Sequence, residues 1–125
     1  MLAGGALSMA LVLSPQGAMA RQSPDMPGVG TIQAQQLPND ARQTLDLIEA
    51  GGPFPYDKDG SRFGNYERVL PQQNRGYYRE YTVKNSKNKS RNRGARRIVC
   101  GGDQRAVSDC YYTEDHYNSF KRITK

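Results

Sequence analysis

The chain contains one histidine, His116, set in the run Tyr111-Tyr112-Thr113-Glu114-Asp115-His116-Tyr117. Upstream, Glu80 lies in an aromatic, strand-like segment, and a basic stretch ends in Arg93, Arg96 and Arg97. A carboxylate, an imidazole and several guanidinium groups can break a ribose phosphodiester without a metal. The carboxylate takes the proton of the 2′-hydroxyl, the imidazolium gives one to the departing 5′ oxygen, and arginines hold the phosphate. Each residue also has an ordinary reading taken singly. Glu80 would be an exposed strand carboxylate, His116 a surface or structural histidine, and the tyrosine pairs sheet packing.

Elements that could position such a set follow from the pattern. Leu37, Ala41, Thr44, Leu45 and Ile48 recur at helical spacing, Asn39 and Asp40 supply capping and first-turn acid, and Gly51-Gly52 supplies the stop. The turn-rich run from Gly52 to Gly60 cannot extend that helix. Beyond it the period changes to short aromatic and β-branched segments at Arg62–Leu70, Gly76–Val83, Arg96–Val99, Tyr111–Tyr112 and Ser119–Ile123. This predicts an α+β domain: one N-terminal α-helix packed on a four- to five-stranded antiparallel β-sheet. Arg96 and Arg97 enter one of those strands, so they point to opposite sheet faces. Only one of them can share a face with Glu80, and alternation leaves open which.

Residues 3–13 are small or apolar, no charged residue precedes Arg21, and Ala18-Met19-Ala20 offers a small-x-small cleavage site. Residues 1–20 therefore read as a secretory signal peptide, although no basic residue precedes the apolar run. A buried N-terminal helix is the alternative; a membrane-spanning helix needs about 20 apolar residues and is not expected. Residues 21–36, rich in Pro, Gly, Gln and Ser, read as a flexible linker, which leaves residues 37–125 as the folded domain. The net charge of +6 falls wholly beyond the signal segment and suits a polyanionic partner, or solubility alone. Within the basic run, Lys84 to Arg91 reads as a solvated loop. In an exported protein the two cysteines, Cys100 and Cys110, are expected to pair. Two thiols and one histidine leave a zinc shell short, so no metal site and no cofactor is expected.

A set of strings then bears on identity: Leu37-Pro38, Gly52-Pro53-Phe54-Pro55-Tyr56, Asp59-Gly60, Phe63-Gly64-Asn65-Tyr66-Glu67, Val69-Leu70-Pro71, Tyr77 to Val83, Arg93 to Ile98 and Tyr111 to Tyr117. In order and spacing they resemble the microbial guanyl-specific ribonucleases of the ribonuclease Sa type, with barnase a more distant relative. The resemblance covers about residues 37–125 and implies the microbial ribonuclease fold. It implies Glu80 as general base, His116 as general acid, Arg93 and Arg97 on the phosphate, and Tyr117 beside it. It also implies a guanine-reading loop at Phe63, Asn65, Tyr66 and Glu67, with Glu67 accepting from the N1–H and N2 amino groups of the base. Gly64 and Tyr66 stand where close relatives carry glutamine and arginine. Cys100 and Cys110 do not match the family's terminal cysteine pair and would instead bridge a β-hairpin.

The function implied is secreted guanine-specific cleavage of single-stranded RNA, through a 2′,3′-cyclic phosphate to a 3′-phosphate. The expected partners are RNA and a small acidic inhibitor of the barstar kind; no membrane association follows signal removal, and a monomer is expected. Two other functions compete. One is a non-catalytic basic domain that binds RNA or another polyanion, which gives no reason for Glu80 and His116. The other is the same chemistry used as a toxin against competing bacteria.

Overall fold

The computed structural model describes residues 29–85 and 92–125. The signal-peptide reading of residues 1–20, the first part of the linker and most of the Lys84 to Arg91 loop lie outside the described residues.

Among the described residues six strands form one sheet: β1 (Gly30–Gln33), β2 (Ser61–Arg62), β3 (Tyr78–Thr82), β4 (Arg97–Gly101), β5 (Cys110–Thr113) and β6 (Lys121–Thr124), in the spatial order β1-β6-β5-β4-β3-β2. Among the described residues a single α-helix, α1 (Asn39–Ala50), packs against β3 and β4. The α+β reading holds. Two details of it do not.

The sheet is mixed, because β1 pairs parallel with β6, placing Ile32 beside Ile123. The segment read as linker therefore joins the sheet at Gly30. An edge strand is held mainly by its backbone ladder, so it needs little apolar content and leaves a weak periodic signal. The other change is at Arg62–Leu70, where only Ser61–Arg62 is strand. Asn65 and Arg68 adopt left-handed backbone, with φ of 53° and 57°, and turn the remainder into a folded loop.

Helix α1 buries Ala41, Thr44 and Ile48, as its spacing requires. It ends where Gly51 turns left-handed at φ 86° and the N–H groups of Gly51 and Gly52 both donate to the Leu47 carbonyl at 2.9 Å. Its cap position is Pro38 rather than Asn39, whose side chain instead accepts from Arg42 within the first turn.

Strand alternation divides the side chains between two faces. Tyr81, Ile98, Cys100, Cys110, Tyr112 and Ile123 join Ala41 and Ile48 beneath the helix. Tyr78, Val99 and Tyr111 face the other way and pack with Leu70 and Phe120. Tyr77 joins that second cluster and packs against Gly101, where a β-carbon would fall 2.1 Å from its ring, a place only glycine leaves free. The Cys100–Cys110 disulfide joins directly paired residues of β4 and β5, closing the hairpin between them.

Candidate active site

Glu80 stands at the middle of β3 on the face opposite the helix. The register of β3 against β4 pairs Thr82 with Arg97 and Glu80 with Val99, so Glu80, Thr82 and Arg97 share that face. Arg96 takes the other side and forms a two-point pair with Asp40 of α1, at 3.0 and 2.6 Å. That pairing holds the Asp40 carboxyl below its usual range. Of the two adjacent arginines, Arg97 belongs to the site and Arg96 to the helix.

Arg93 donates to Glu80 Oε1 at 2.5 Å and, through Nε, to Thr82 Oγ1 at 2.9 Å. Arg97 Nε lies 3.7 Å from the same Glu80 oxygen. The Arg97 side chain is only 3% exposed and its Nη1 donates to the carbonyls of Gly94 and Arg96, both at 2.9 Å. Its buried Nε has no hydrogen-bond partner, and neither has the buried Tyr117 hydroxyl. Both donors lie near Glu80, and a ligand oxygen beside that carboxylate would satisfy them.

His116 is carried by the turn that follows β5, and local hydrogen bonds shape that turn. Thr113 Oγ1 donates to Asp115 Oδ1 at 2.8 Å and accepts from the Tyr117 N–H at 3.1 Å. Ser119 donates to Asp115 twice, from its hydroxyl at 2.6 Å and its N–H at 2.9 Å. The Ser119 bonds, with help from Thr113, pull the Asp115 pKa down to about 2. His116 and Tyr117 follow in left-handed backbone, φ 56° and 75°, and the His116 N–H donates to the Ala95 carbonyl at 3.0 Å. Thr82, Thr113 and Asp115 were not singled out by sequence reasoning. The Thr-x-Asp run with serine four residues on is turn chemistry of a recognisable kind and could have marked the last two.

An aromatic ridge connects this turn to the loop after β2. The His116 ring lies 4.8 Å from that of Tyr117, which lies 4.9 Å from Phe63. Burial first, and then the Glu80 charge, push the Tyr117 pKa up to about 12, so its hydroxyl keeps its proton at neutral pH. Beside the ridge runs a cleft of about 420 Å³. Phe63, Tyr66 and Glu67 line one part of it, and Glu80 and His116 another. Of the four catalytic candidates, Glu80 and His116 thus border this cavity, while Arg93 and Arg97 do not line it but contact Glu80.

Two loop residues behave differently from the sequence expectation. Asn65 spends its side chain on the loop itself: its amide accepts from Leu70 N–H at 3.1 Å and donates to the Leu70 carbonyl at 3.0 Å. Any contact of Asn65 with a base would fall to its backbone. Tyr66 is 92% exposed and lies across Gly64, where a β-carbon would come 2.4 Å from its ring. Glycine at 64 is what lets the tyrosine adopt that place.

A sheet face carrying glutamate, paired arginines and a loop-borne histidine, roofed by an aromatic loop, defines a ribonuclease-type site. A family model described as ribonuclease matches residues 20–124. Guanyl-specific ribonuclease Sa3 of Kitasatospora aureofaciens is 52% identical over 76% of the chain, and guanyl-specific ribonuclease Sa of the same organism 49% over 75%. Guanyl-specific ribonuclease St of Saccharopolyspora erythraea is 45% identical over 78%. The matched region spans 64%, 93% and 90% of those three proteins. Among solved structures, ribonuclease Sa2 in complexes with mononucleotides superposes with a TM-score of 0.70 at 39% identity, over 79% of this chain and 97% of that one. The chain belongs to the microbial guanyl-specific ribonuclease family.

Proposed function

We propose that this protein is a secreted guanine-specific endoribonuclease acting on single-stranded RNA. The observation that carries the reading is the shared cleft: Glu80, His116 and the Phe63 to Glu67 loop open onto one cavity sized for a nucleotide. Both arginine contacts fall on Oε1 of Glu80, which leaves Oε2 to accept a proton.

Glu80 removes the proton of the guanosine 2′-hydroxyl, and the 2′ oxygen attacks the adjacent phosphorus. His116 protonates the leaving 5′ oxygen, giving a 2′,3′-cyclic phosphate. In the second step His116 deprotonates water, Glu80 returns the proton to the 2′ oxygen, and a 3′-phosphate results. Arg93, Arg97 and the Tyr117 hydroxyl, gathered around Glu80, stabilise the charge that builds on the phosphoryl oxygens. Base, acid and electrostatic stabiliser are all side chains of this chain, so the scheme calls for no metal.

Glu67 reads guanine by accepting from N1–H and N2 together, while Phe63 and Tyr66 flank the ring. Adenine would leave the carboxylate unpaired, and that penalty is the source of selectivity. The disulfide fits an oxidising compartment and supports export. A small acidic inhibitor of the barstar kind suits an arginine-bearing cleft of this shape.

The test is cleavage of a mixed RNA in the presence of chelator. Cuts should follow G and pass through a transient cyclic phosphate, and His116→Ala should lose them while remaining folded. Cutting without base preference, or an undiminished rate in that variant, overturns the assignment.

A further inference from the structure

The loop that roofs the cleft has a second side. There a separate cavity of about 410 Å³ shares residues 62–66 with the first and is walled by Arg62, Arg68 and Arg75. Its other lining residues are neutral, with the amides of Gln72, Gln73 and Asn74 among them and no carboxylate. Arg93, Arg96 and Arg97 each meet an acid, whereas Arg62, Arg68 and Arg75 form no ion pair among the described residues. Three exposed, unneutralised guanidinium groups around one concavity attract an anion, and their planar forks suit phosphate. Gly76, in left-handed backbone at φ 86°, turns the chain along the wall of the groove.

The position of this groove gives its ligand a direction. Tyr78 of β3 borders the groove, and Glu80, two residues along the same face, borders the cleft. Arg93 lies further on still, beside Thr82. Under the proposed function, on which this inference rests, the scissile 3′ phosphate sits at Glu80 and guanine under the loop. The 5′ side of that guanosine then faces back along β3 toward Arg62 and Arg75.

We propose that Arg62, Arg68 and Arg75 form an upstream subsite that takes the phosphate on the 5′ side of the bound guanosine. The protein accordingly favours a guanosine inside an RNA chain over one at a free 5′ end. Tyr66, which borders both cavities, separates the guanine from the upstream nucleotide.

Calorimetric binding of guanosine 3′-monophosphate and guanosine 3′,5′-bisphosphate tests this without requiring turnover. At low salt the bisphosphate should bind roughly fivefold tighter, the factor supplied by one exposed charge pair of ordinary strength, and the gain should shrink as salt is added. In the double variant Arg68→Gln, Arg75→Gln the gain should vanish while affinity for the monophosphate stays unchanged. Equal affinities in the wild type, or a gain that survives in the variant, overturn the subsite. Loss of the parent reading is seen separately, as absence of RNA cleavage by a protein that still distinguishes the two ligands.

Discussion

Arg93 and Arg97 both approach a single oxygen of Glu80, the first at 2.5 Å and the second at 3.7 Å. One arginine is nearly a quarter exposed and hydrogen-bonded to Thr82; the other is buried and bonded to two carbonyls. The carboxylate is thus fixed in place by one cation and backed by another, with its second oxygen left for chemistry.

Glu80→Gln keeps an acceptor for Arg93 but cannot serve as base. Its kcat on a guanylyl dinucleotide should fall about 10²–10⁴-fold, with circular dichroism unchanged. A variant that keeps its rate would remove Glu80 from the mechanism.

Arg93 and Arg97 should separate in stability. Arg97→Ala leaves the Gly94 and Arg96 carbonyls short of a donor inside the fold and should cost about 2–5 kcal/mol in urea unfolding. Arg93→Ala, at a more exposed position, should cost less than about 1.5 kcal/mol while still lowering activity. Equal losses of stability would show that Arg97 is not the structural partner described.

The pH dependence of stability should carry the mark of Asp115. Its folded pKa of about 2 lies below the ordinary 3.8, so its contribution is present above that ordinary value and lost as pH falls through about 2. Melting temperature followed from pH 5 to pH 2 (a range set by those values) should drop in the wild type and drop less steeply in Asp115→Asn. The same variant should lower kcat, because the turn that carries His116 loses its anchor. Parallel pH profiles in the two proteins would sink this account.

Removing the Cys100–Cys110 bridge should destabilise without disabling. The closed loop is short, with a sequence separation of 10, and the double serine variant should lose about 2–3 kcal/mol. Neither sulfur lies in the cleft, so activity at low temperature should persist. A wild-type unfolding midpoint unaffected by reductant would contradict it.

Base preference should depend on Glu67. Glu67→Ala should narrow the ratio of cutting after G to cutting after A by about 10–100-fold, with less effect on hydrolysis of a minimal cyclic phosphate. Proportionate loss on every substrate would assign Glu67 to the chemistry and not to recognition.

Much of this was legible along the chain. Ala41, Thr44 and Ile48 announced the buried stripe of α1, and Gly51-Gly52 its end, because helix periodicity and left-handed glycine are properties of a few neighbouring residues. The order of Glu80, Arg93, Arg97 and His116 carried the family resemblance. Strand β1 was not legible: its four residues expose most of their side chains and owe their shape to β6, some ninety positions away. Nor was the loop after β2, where aromatic and β-branched content suggested strand but Asn65 bonds to Leu70 and folds the backbone back on itself.

The sequence by itself determined which chemical groups were present and how each short stretch preferred to run. It could not choose between Arg96 and Arg97 from alternation, since that choice depends on how β3 and β4 register; the assignment to Arg97 came from family resemblance. The tertiary structure placed Thr82 opposite Arg97, sent Arg96 to Asp40, and bent the turn around Asp115 so that His116 and Glu80 border one cavity. It also left Arg62, Arg68 and Arg75 around a second concavity, though they are scattered over fourteen positions of chain. Local preferences are set by dihedral sterics and side-chain periodicity within a few residues. Which distant groups meet is set by ladder register and burial, and those belong to the folded chain as a whole.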